Sequence, residues 1–348
     1  MMADMEKKKN TIVDVARKLN VSTSTVSRAL NGHHSISERT KLKVRKVAAE
    51  LNYSPNNVAA SLRRGKVNSI GVILPRINST FMSNCIFGIE SVTYPAGYNL
   101  IISCSNEDYK KEVQSIAALK ASQVSGIILS LSNETKKTAH LSNIISQNIP
   151  LVMFDRIAEL LNVDSVVNDD TKITVQAIEH LHAMGFRKIA IFSSPTHIYV
   201  YKNRMKGYLE ALSSLGLTLN HNWIIENIQT KEQAQHSAEI LFKAKDKPDA
   251  VFCTSDTIAL GVIQTLKKLG IQIPQEVGVI GYSNDTFSEL IQPTLTSIEQ
   301  YPQEMGVNAA KLMLDIIGDK NWSMQVHKQI HIKPRLIIRD SSNRLLTE

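Results

Sequence analysis

The stretch from Thr11 to Asn31 constrains this chain most, because it has the length and pattern of two short helices joined by a tight turn. Thr11 with Asp14 three residues later is a capping box, in which a hydroxyl and a carboxylate satisfy backbone N–H groups at a helix start. Asn20 suits the left-handed residue that ends a helix, and Ser22 suits the cap of the next helix. The spacing therefore predicts a helix-turn-helix.

The second of these helices has an apolar side and a polar side. Val26, Ala29 and Leu30 share the apolar side at helical spacing. The opposite side has no acidic group and carries Thr23, Ser24, Ser27 and Arg28. Hydroxyls and a guanidinium on a slender helix suit the major groove of DNA, where they can meet base edges and phosphates. A polar-faced helical hairpin on an unrelated scaffold would show the same pattern.

The distribution of charge favours the first alternative. Residues 1–66 contain 14 Lys and Arg against 5 acids, a net charge of +9, whereas the whole chain carries +8. Residues 67–348 are therefore close to neutral. Neutralising DNA phosphates requires excess positive charge at the binding motif, and a scaffold hairpin does not. The charge indicates a DNA-binding head.

A third helix and a linker follow the motif. Ser37 predicts the cap of a helix that runs to about Leu51 and completes the small head. The apolar stripe of this helix is Thr40, Val44, Val47, Ala48 and Leu51, and Lys41, Lys43, Arg45 and Lys46 lie outside it. The segment 54–66, SPNNVAASLRRGK, predicts about two helical turns, and helices this short are marginal in water unless supported. Leu62 in this linker is apolar but has no obvious local core, with only Val58 and Ala59 one turn before it. It either packs on the neighbouring domain or enters the minor groove as a wedge beside phosphate-binding arginines.

From residue 70 onward, apolar strands alternate with amphipathic helices. The predicted strands are 70–74, 100–103, 126–130, 151–154, 188–192, 250–253 and 277–282, and predicted helices include 108–122, 171–184, 204–215, 231–244 and 256–269. This alternation favours parallel sheets covered by helices on both faces. Its length of roughly 280 residues predicts two α/β lobes with a ligand cleft at the carboxyl ends of the strands. The predicted domains are a head (1–54), a hinge (55–66) and a two-lobed domain (67–348).

The composition narrows the function classes. The three cysteines, Cys85, Cys104 and Cys253, are far apart in apolar runs and predict buried thiols in the cytoplasm. No apolar run approaches the roughly 20 residues that span a bilayer. The chain has none of the common phosphate-loop, nucleophile-elbow, zinc-protease or dinucleotide motifs, so we expect no enzyme, metal or cofactor. Asp169–Asp170 predicts a helix cap, and Ser193–Ser194 a loop that lines the cleft.

Several segments resemble the LacI/GalR family of bacterial transcription regulators, and together they extend over essentially the whole chain. They are TIVDVARKLNVSTSTVSRALNG (11–32), LNYSPNNVAASLRRGKVNSIGVILP (51–75), MFDR (153–156), NRMKGYLEAL (203–212), SDTIALGV (255–262) and PTLTSIEQ (293–300). The resemblance implies a helix-turn-helix head with a hinge helix, then a two-lobed effector domain like the type I periplasmic binding proteins. It further implies a homodimeric repressor bound to a pseudo-palindromic operator.

The same resemblance implies DNA contacts in the head and the hinge. Thr23 and Ser24 match the base-reading residues of the family, and Arg28 matches a further DNA-contacting arginine. Leu62 matches the leucine that wedges between the central base pairs. The expected DNA contacts are Thr11, Ser22, Thr23, Ser24, Thr25, Ser27, Arg28, Asn31, Tyr53, Asn57, Ala59, Leu62 and Arg63.

The resemblance also implies a small effector, commonly a sugar, in the cleft. Arg204 matches an arginine that binds effector oxygens, and Asp155 matches an aspartate of the same cleft. Ser283 stands where the family has an aspartate, which removes a charge-assisted bond to sugar hydroxyls. A sugar derivative and a more anionic ligand anchored by Arg204 therefore both stay open. The expected effector contacts are Phe81, Met82, Asp155, Arg204, Gln229, Ser255 and Ser283.

Three alternatives concern the partners. The segments after the linker also fit sugar-binding proteins of transport systems, so the chain could be a ligand-binding module without specific DNA binding. The cleft domain could answer to a protein corepressor instead of a small molecule. The chain ends at Glu348 soon after the strand RLIIR (335–339), without a heptad tail, which favours a dimer over a tetramer.

Overall fold

The structure is a computed structural model in which residues 10–30, 32–53 and 68–344 are described. The chain divides into two compact units, residues 1–67 and 68–348. The expected DNA contacts at Asn31, Asn57, Ala59, Leu62 and Arg63 lie outside the described residues, so their roles stay predictions.

The first unit contains the predicted helix-turn-helix. Its helices are α1 (Ile12–Leu19), α2 (Thr23–Leu30) and α3 (Glu38–Glu50). The Thr11 N–H donates to Oδ2 of Asp14 at 2.8 Å, and Asn20 takes a left-handed φ of 51°, as the capping pattern predicts. Val15, Val26 and Val44 are buried together between the three helices. The prediction of two helices and a tight turn is confirmed.

The third helix begins at its predicted cap, but one of its lysines, Lys41, is buried. The Thr40 N–H donates to Oγ of Ser37 at 3.3 Å. Lys41, which the pattern places outside the apolar stripe, is buried, and its Nζ reaches Oε1 of Glu38 at 2.8 Å. A long methylene stem allows this, because it can be buried while the ammonium finds a polar partner.

The second unit has two lobes, of which the first contains a six-stranded parallel sheet. Its strands are β1 (Ser69–Leu74), β2 (Asn99–Cys104), β3 (Gly126–Leu129), β4 (Leu151–Phe154), β5 (Asp164–Asn168) and β11 (Gln329–Ile332), in the order β11-β5-β4-β3-β1-β2. Its helices are α4 (Thr80–Thr93), α5 (Tyr109–Ala121), α6 (Ala139–Ser146) and α11 (Pro302–Ile316). One apolar core joins the sheet to α4 and α11.

The second lobe contains a four-stranded parallel sheet. Its strands are β6 (Ile189–Phe192), β7 (Ile224–Ile225), β8 (Ala250–Cys253) and β9 (Gly278–Ile280), in the order β7-β6-β8-β9. The helices are α7 (Asp170–Ala183), α8 (Tyr199–Ser214), α9 (Lys231–Lys243) and α10 (Asp256–Lys268). A short antiparallel pair, β10 (Ser297–Glu299) with β12 (Arg335–Ile337), completes the set.

The predicted two-lobed α/β architecture is confirmed. All eight predicted strands are present, and no predicted bound differs from the observed one by more than two residues, as in 277–282 against 278–280 and 335–339 against 335–337. The sequence did not predict β5, β7, β10 or β11, nor the return of α11 and β11 to the first lobe. Each lobe is therefore built from separate parts of the chain.

The sequence predicts that no segment spans a membrane and that all three cysteines are buried. Within the described ranges, no helix is both long and apolar enough to span a bilayer. Cys85 and Cys253 are buried, as predicted, whereas Cys104 on the edge strand β2 is partly exposed and corrects that expectation.

Candidate functional site

The polar face of α2 is the first candidate site. Thr23, Ser24 and Arg28 are exposed on it. Ser22 caps the helix, because its Oγ accepts the Thr25 N–H at 3.1 Å. This leaves two hydroxyls and a guanidinium as the outward groups of the second helix.

The other head residues expected to meet DNA have partly structural positions. Thr25 and Ser27 are half-buried on α2, and Thr11 belongs to the cap of α1. Tyr53 packs against the core of the head. These side chains can hold the exposed face of α2 in position, and they can also contact the sugar-phosphate backbone of DNA.

The second candidate site is a cleft of about 400 Å³ between the two lobes. It lies where the prediction places it, because Pro75, Asp155, Ser194 and Thr254 follow the carboxyl ends of β1, β4, β6 and β8 and line it. All seven residues predicted to contact an effector line this cavity, namely Phe81, Met82, Asp155, Arg204, Gln229, Ser255 and Ser283. Ser194 also lines the cleft, as predicted, whereas Ser193 is buried behind it.

Arg204 in the cleft wall is already bound by the protein. Its Nε donates to Oδ1 of Asp170 at 3.0 Å, Nη1 to the Thr254 carbonyl at 2.8 Å, and Nη2 to Oε1 of Gln300 at 3.2 Å. Its guanidinium lies 3.5 Å from the ring centre of Tyr282. Although burial opposes the charge, the Asp170 carboxylate raises the pKa of Arg204 above its ordinary value. Asp170 is thus the buried partner of an arginine, which corrects its assignment as a helix cap.

A second charge cluster, centred on Glu107, was missed from the sequence. The Glu107 carboxylate accepts Arg156 Nη1 at 2.8 Å and Arg76 Nε at 3.0 Å, and it also accepts the Asn133 N–H at 2.7 Å. Arg156 donates through Nη2 to the Tyr201 hydroxyl of the other lobe at 3.1 Å. All five residues line the cleft. The sequence signal was the arginine at the end of the MFDR run, whose partner is distant in the chain.

Asp155 is the carboxylate of the wall that the protein satisfies least. It is 6% exposed and adopts a left-handed φ of 57°. Arg156 Nε lies 3.8 Å from its Oδ2, and among the described residues the carboxylate accepts no hydrogen bond. Burial raises the pKa of Asp155 to about 6, and the positive charges of Arg156 and Arg204 oppose that rise. The carboxylate can therefore accept hydrogen bonds from a ligand.

The loop after β9 brings a further carboxylate to the cleft. Ser283 and Asn284 have φ values of 127° and 49°, and the Asp285 N–H is held by Oδ2 of Asp256 at 2.7 Å. Asp285 consequently lines the cavity, where burial raises the pKa of its carboxyl and Thr80 of the other lobe opposes that rise. The carboxylate that is absent at position 283 is thus present two residues later. An acid so close to the expected position was the signal that the sequence reading overlooked.

The remaining predicted residues have defined partners. The Ser283 hydroxyl accepts Gln300 Nε2 at 3.2 Å, and the Ser255 hydroxyl accepts the Ile258 N–H at 3.3 Å as the cap of α10. Gln229 Oε1 lies 3.5 Å from Asn133 Nδ2 across the cleft. Phe81 and Met82 are buried apolar groups of the wall.

A helix-turn-helix head and a two-lobed domain with a polar cleft define the class of protein. Residues 11–56 match the bacterial regulatory proteins of the lacI family, and residues 178–342 match a periplasmic binding protein-like domain. The HTH-type transcriptional repressor PurR of Vibrio vulnificus is 33% identical over 335 residues, which cover 96% of this chain and 99% of that protein. The ribose operon repressor of Haemophilus influenzae is 33% identical over 331 residues, covering 95% and 98%. This chain belongs to the LacI family.

Solved structures show the same fold. The Lac repressor dimer bound to operator and the anti-inducer ONPF superimposes with a TM-score of 0.85 at 22% identity, covering 97% of this chain and all (100%) of that one. The complex of the transcriptional regulator CelR with cellobiose gives a TM-score of 0.72 at 24% identity, covering 95% and 99%. These two likenesses concern the fold.

Proposed function

We propose that this chain is a transcriptional repressor that binds a pseudo-palindromic operator as a homodimer and is controlled by a small ligand in the cleft. The proposed ligand is neutral and rich in hydroxyl groups. The paired charges of the cleft wall are the observation that carries this choice. Family membership and the exposed polar face of α2 support the DNA-binding part.

The charge balance of the wall argues against an acidic ligand. Arg204 is bound to Asp170 at 3.0 Å, and Arg156 and Arg76 are bound to Glu107 at 2.8 and 3.0 Å. A ligand carboxylate or phosphate would therefore meet no unpaired arginine among the described residues that line the cleft. Two carboxylates facing the cavity, Asp155 and Asp285, would oppose it, whereas hydroxyl groups can donate to both. Two relatives agree with this class, since one is a ribose operon repressor and the other is a regulator in complex with cellobiose.

An exposed apolar surface in the first lobe supports the proposal that the chain forms a homodimer. Strand β2 forms one edge of the six-stranded sheet and exposes Ile101 and Ile102 at 36% and 41%. Phe87 on α4 and Tyr94, the residue that follows α4, are 59% and 70% exposed. Large apolar side chains grouped on adjacent elements mark interaction surfaces, and a twofold dimer can bury such a surface against itself.

Selection of duplexes from a random pool by the full-length protein tests the DNA-binding part. We expect a palindrome to emerge. Leu62→Ala should weaken binding to that palindrome while it spares much of the salt-dependent binding to random DNA. Equal loss of both would contradict the wedge at Leu62. Equal and weak binding to every duplex would instead favour a ligand-binding module without specific DNA binding.

Thermal-shift measurements test the ligand class. We expect neutral sugars and polyols to raise the melting temperature of the full-length protein and sugar acids to leave it unchanged. Asp285→Asn should reduce the shift, whereas Glu210→Gln, a matched change on the exposed face of α8, should keep it. A shift produced by sugar acids alone would overturn the neutral-ligand assignment. Recovery of the ligand unchanged after incubation is the expected result for a cytoplasmic regulator, and turnover would identify an enzyme.

A further inference from the structure

Glu107 lies at a point in the cleft wall where the surrounding groups are those of an anion-binding site. It follows β2, and the three groups that bind its carboxylate follow β1, β3 and β4, which are neighbouring strands of the first sheet. Those groups are the side chains of Arg76 and Arg156 and the backbone N–H of Asn133. All four residues line the cleft. A charged group of the protein therefore lies inside the space in which we place the ligand.

Each oxygen of this carboxylate accepts two hydrogen bonds. Oε1 accepts Arg76 Nε at 3.0 Å and Arg156 Nη1 at 3.1 Å. Oε2 accepts Arg156 Nη1 at 2.8 Å and the Asn133 N–H at 2.7 Å. Guanidinium groups together with a backbone N–H are donors that proteins use for the carboxylates and phosphates of ligands. Here the anion that they bind belongs to the protein.

The backbone at Glu107 has an uncommon conformation. Asn106 and Glu107 have φ values of 52° and 63°, and this left-handed region is frequent for asparagine but not for glutamate. Such a conformation persists where the surrounding structure fixes it, and it is often found at ligand sites. The Glu107 N–H donates to the Pro75 carbonyl at 3.1 Å, and the side chain of Glu107 is 11% exposed. The turn and these contacts keep the carboxylate between the two arginines.

Loss of the Glu107 carboxylate would leave two guanidinium groups facing the cleft. Among the described residues, Glu107 is the acid bound to Arg76, whose side chain is 41% exposed. Arg156 would keep the Tyr201 hydroxyl at 3.1 Å and the more distant Asp155, 3.8 Å from its Nε. Arginines that face a cleft without a bound acid recognise carboxylates and phosphates. The charge of Glu107 therefore decides whether this part of the cleft attracts an acidic ligand.

We propose that Glu107 is a specificity-determining residue, which excludes acidic ligands because its own carboxylate fills the anion position formed by Arg76, Arg156 and the Asn133 N–H. The proposal rests on the proposed function and deepens it, since it explains how a cleft that contains arginines selects a neutral, hydroxyl-rich ligand. A carboxylate that is tied to the chain has a higher effective concentration at this position than a free anion has. An acidic ligand has to displace it, whereas a neutral ligand does not.

Rescue of Glu107→Ala by acetate tests the proposal in the full-length protein. Acetate has the same heavy atoms as the part of the side chain that this substitution removes. The melting temperature is measured in sodium acetate and in sodium chloride at equal concentration. An anion that binds only the folded protein raises the melting temperature by about 2–3 °C at about ten times its dissociation constant. We expect this difference between the two salts for Glu107→Ala and no difference for the wild type.

Two further variants control for the loss of charge. Glu107→Gln removes the charge but keeps the position filled, so its response to acetate should be clearly smaller than that of Glu107→Ala. Glu159 is an acid with a 44% exposed side chain, and its Oε2 lies 2.6 Å from Nζ of Lys202. Glu159→Ala frees an exposed lysine instead of two arginines of the cleft, so it should behave as the wild type.

A sugar acid provides the measurement of ligand class. We expect glucuronate to raise the melting temperature of Glu107→Ala more than acetate does at equal concentration, because its hydroxyl groups can donate to Asp285 in the same cleft. The wild type should not respond to glucuronate. Rescue by acetate without a response to glucuronate would make Glu107 a structural ion partner only, and the role in specificity would then be wrong.

Other outcomes also decide the proposal. Equal melting temperatures of Glu107→Ala in the two salts would overturn it, as would equal acetate responses of Glu107→Ala and Glu107→Gln. Folding of Glu107→Ala in acetate alone would support it, whereas failure to fold in either salt would contradict a position that accepts a free anion. Failure of every neutral sugar and polyol to stabilise the wild type would count against the proposed ligand class and would leave the comparison of acetate with chloride intact.

Discussion

Nε of Arg204 and Oδ1 of Asp170 are 3.0 Å apart, and the two side chains are 5% and 0% exposed. Arg204 is on α8, and Asp170 is the first residue of α7. The pair therefore joins two helices of the second lobe directly beneath the cleft. A charge held in this way shapes the wall and the hydrogen-bonding directions of the cavity without supplying net charge to a ligand.

Replacing Arg204 with Met should strongly destabilise the fold. The substitution leaves the Asp170 carboxylate buried without its ion partner, and breaking a buried pair from one side typically costs about 3–5 kcal/mol. Urea unfolding followed by tryptophan fluorescence measures this loss. Lys206→Met is the matched control on the same helix, because its exposed pair with Glu210 should contribute under about 1 kcal/mol. Equal stability of the two variants would contradict the structural role of the pair.

The pH dependence of stability should reveal Asp155. Burial raises its pKa to about 6 in the folded protein, against about 3.9 for an aspartate in an unfolded chain. Between those values the folded protein keeps a proton that the unfolded chain has lost. The free energy of unfolding therefore falls as the pH rises through this interval, by up to about 3 kcal/mol. Asp155→Asn stays neutral, so we expect it to raise the free energy of unfolding by about 2–3 kcal/mol near pH 7.5 and to change it little near pH 4.

The contribution of Asp155 is isolated by comparing how steeply the free energy of unfolding falls with pH in the wild type and in Asp155→Asn. The pKa of Asp256 is also about 6, chiefly through burial, so the variant should keep part of the fall with pH. An unchanged slope in Asp155→Asn would mean that Asp155 is not the titrating group. The same substitution should lower the affinity of the cleft for a hydroxyl-rich ligand, because the cleft loses a charged hydrogen-bond acceptor. We therefore expect Asp155→Asn to be more stable than the wild type near pH 7.5 and to bind the ligand with lower affinity.

The parts of the fold that could be predicted are those whose local pattern agrees with their environment. Strands covered on both faces appear as short continuous apolar runs, so 151–154 and 250–253 coincide with β4 and β8. Strand β5 was missed because its polar residues Asp164, Ser165 and Asn168 leave only two consecutive apolar residues, Val166 and Val167. Asp164 is tolerated in the interior because its Oδ1 accepts the Lys328 N–H at 2.6 Å, a contact between residues distant in the chain.

The candidate site shows the same division. The residues that the family resemblance placed in the cleft do line it. Their partners were not predictable from local pattern. An acid at a helix start ordinarily suggests a cap, and only tertiary packing places Asp170 against Arg204. Asp285 reaches the cavity because two preceding residues take positive φ values, which a side-chain pattern does not reveal.

Helix packing in the first lobe provides a third prediction, at Gly306 on α11. A Cβ added there would lie 2.1 Å from the Cys85 carbonyl oxygen of α4, which is backbone and cannot move aside. Gly306→Ala should therefore destabilise the protein by about 1–3 kcal/mol through overpacking. Lys311→Ala on the exposed side of the same helix should stay within about 0.5 kcal/mol of the wild type. Urea unfolding compares the two, and a neutral Gly306→Ala would mean that α4 and α11 are less closely packed.

We expect different residues of the head to recognise bases and to bind the DNA backbone, and two alanine variants can distinguish these roles. Arg28 is exposed on the polar face of α2, where a guanidinium can donate two hydrogen bonds to one base. Arg28→Ala should reduce discrimination between the selected palindrome and a scrambled duplex by about 1–3 kcal/mol.

Lys43, exposed on α3 outside the apolar stripe, is the control for charge alone. Lys43→Ala should weaken both duplexes equally and lower the dependence of affinity on salt by about one ion, if it contacts a phosphate. Competition titrations with the palindrome and the scrambled duplex at two salt concentrations measure both effects. Loss of discrimination in Lys43→Ala with retention in Arg28→Ala would place the base-reading surface on α3, because charge removal without base contact cannot change sequence preference.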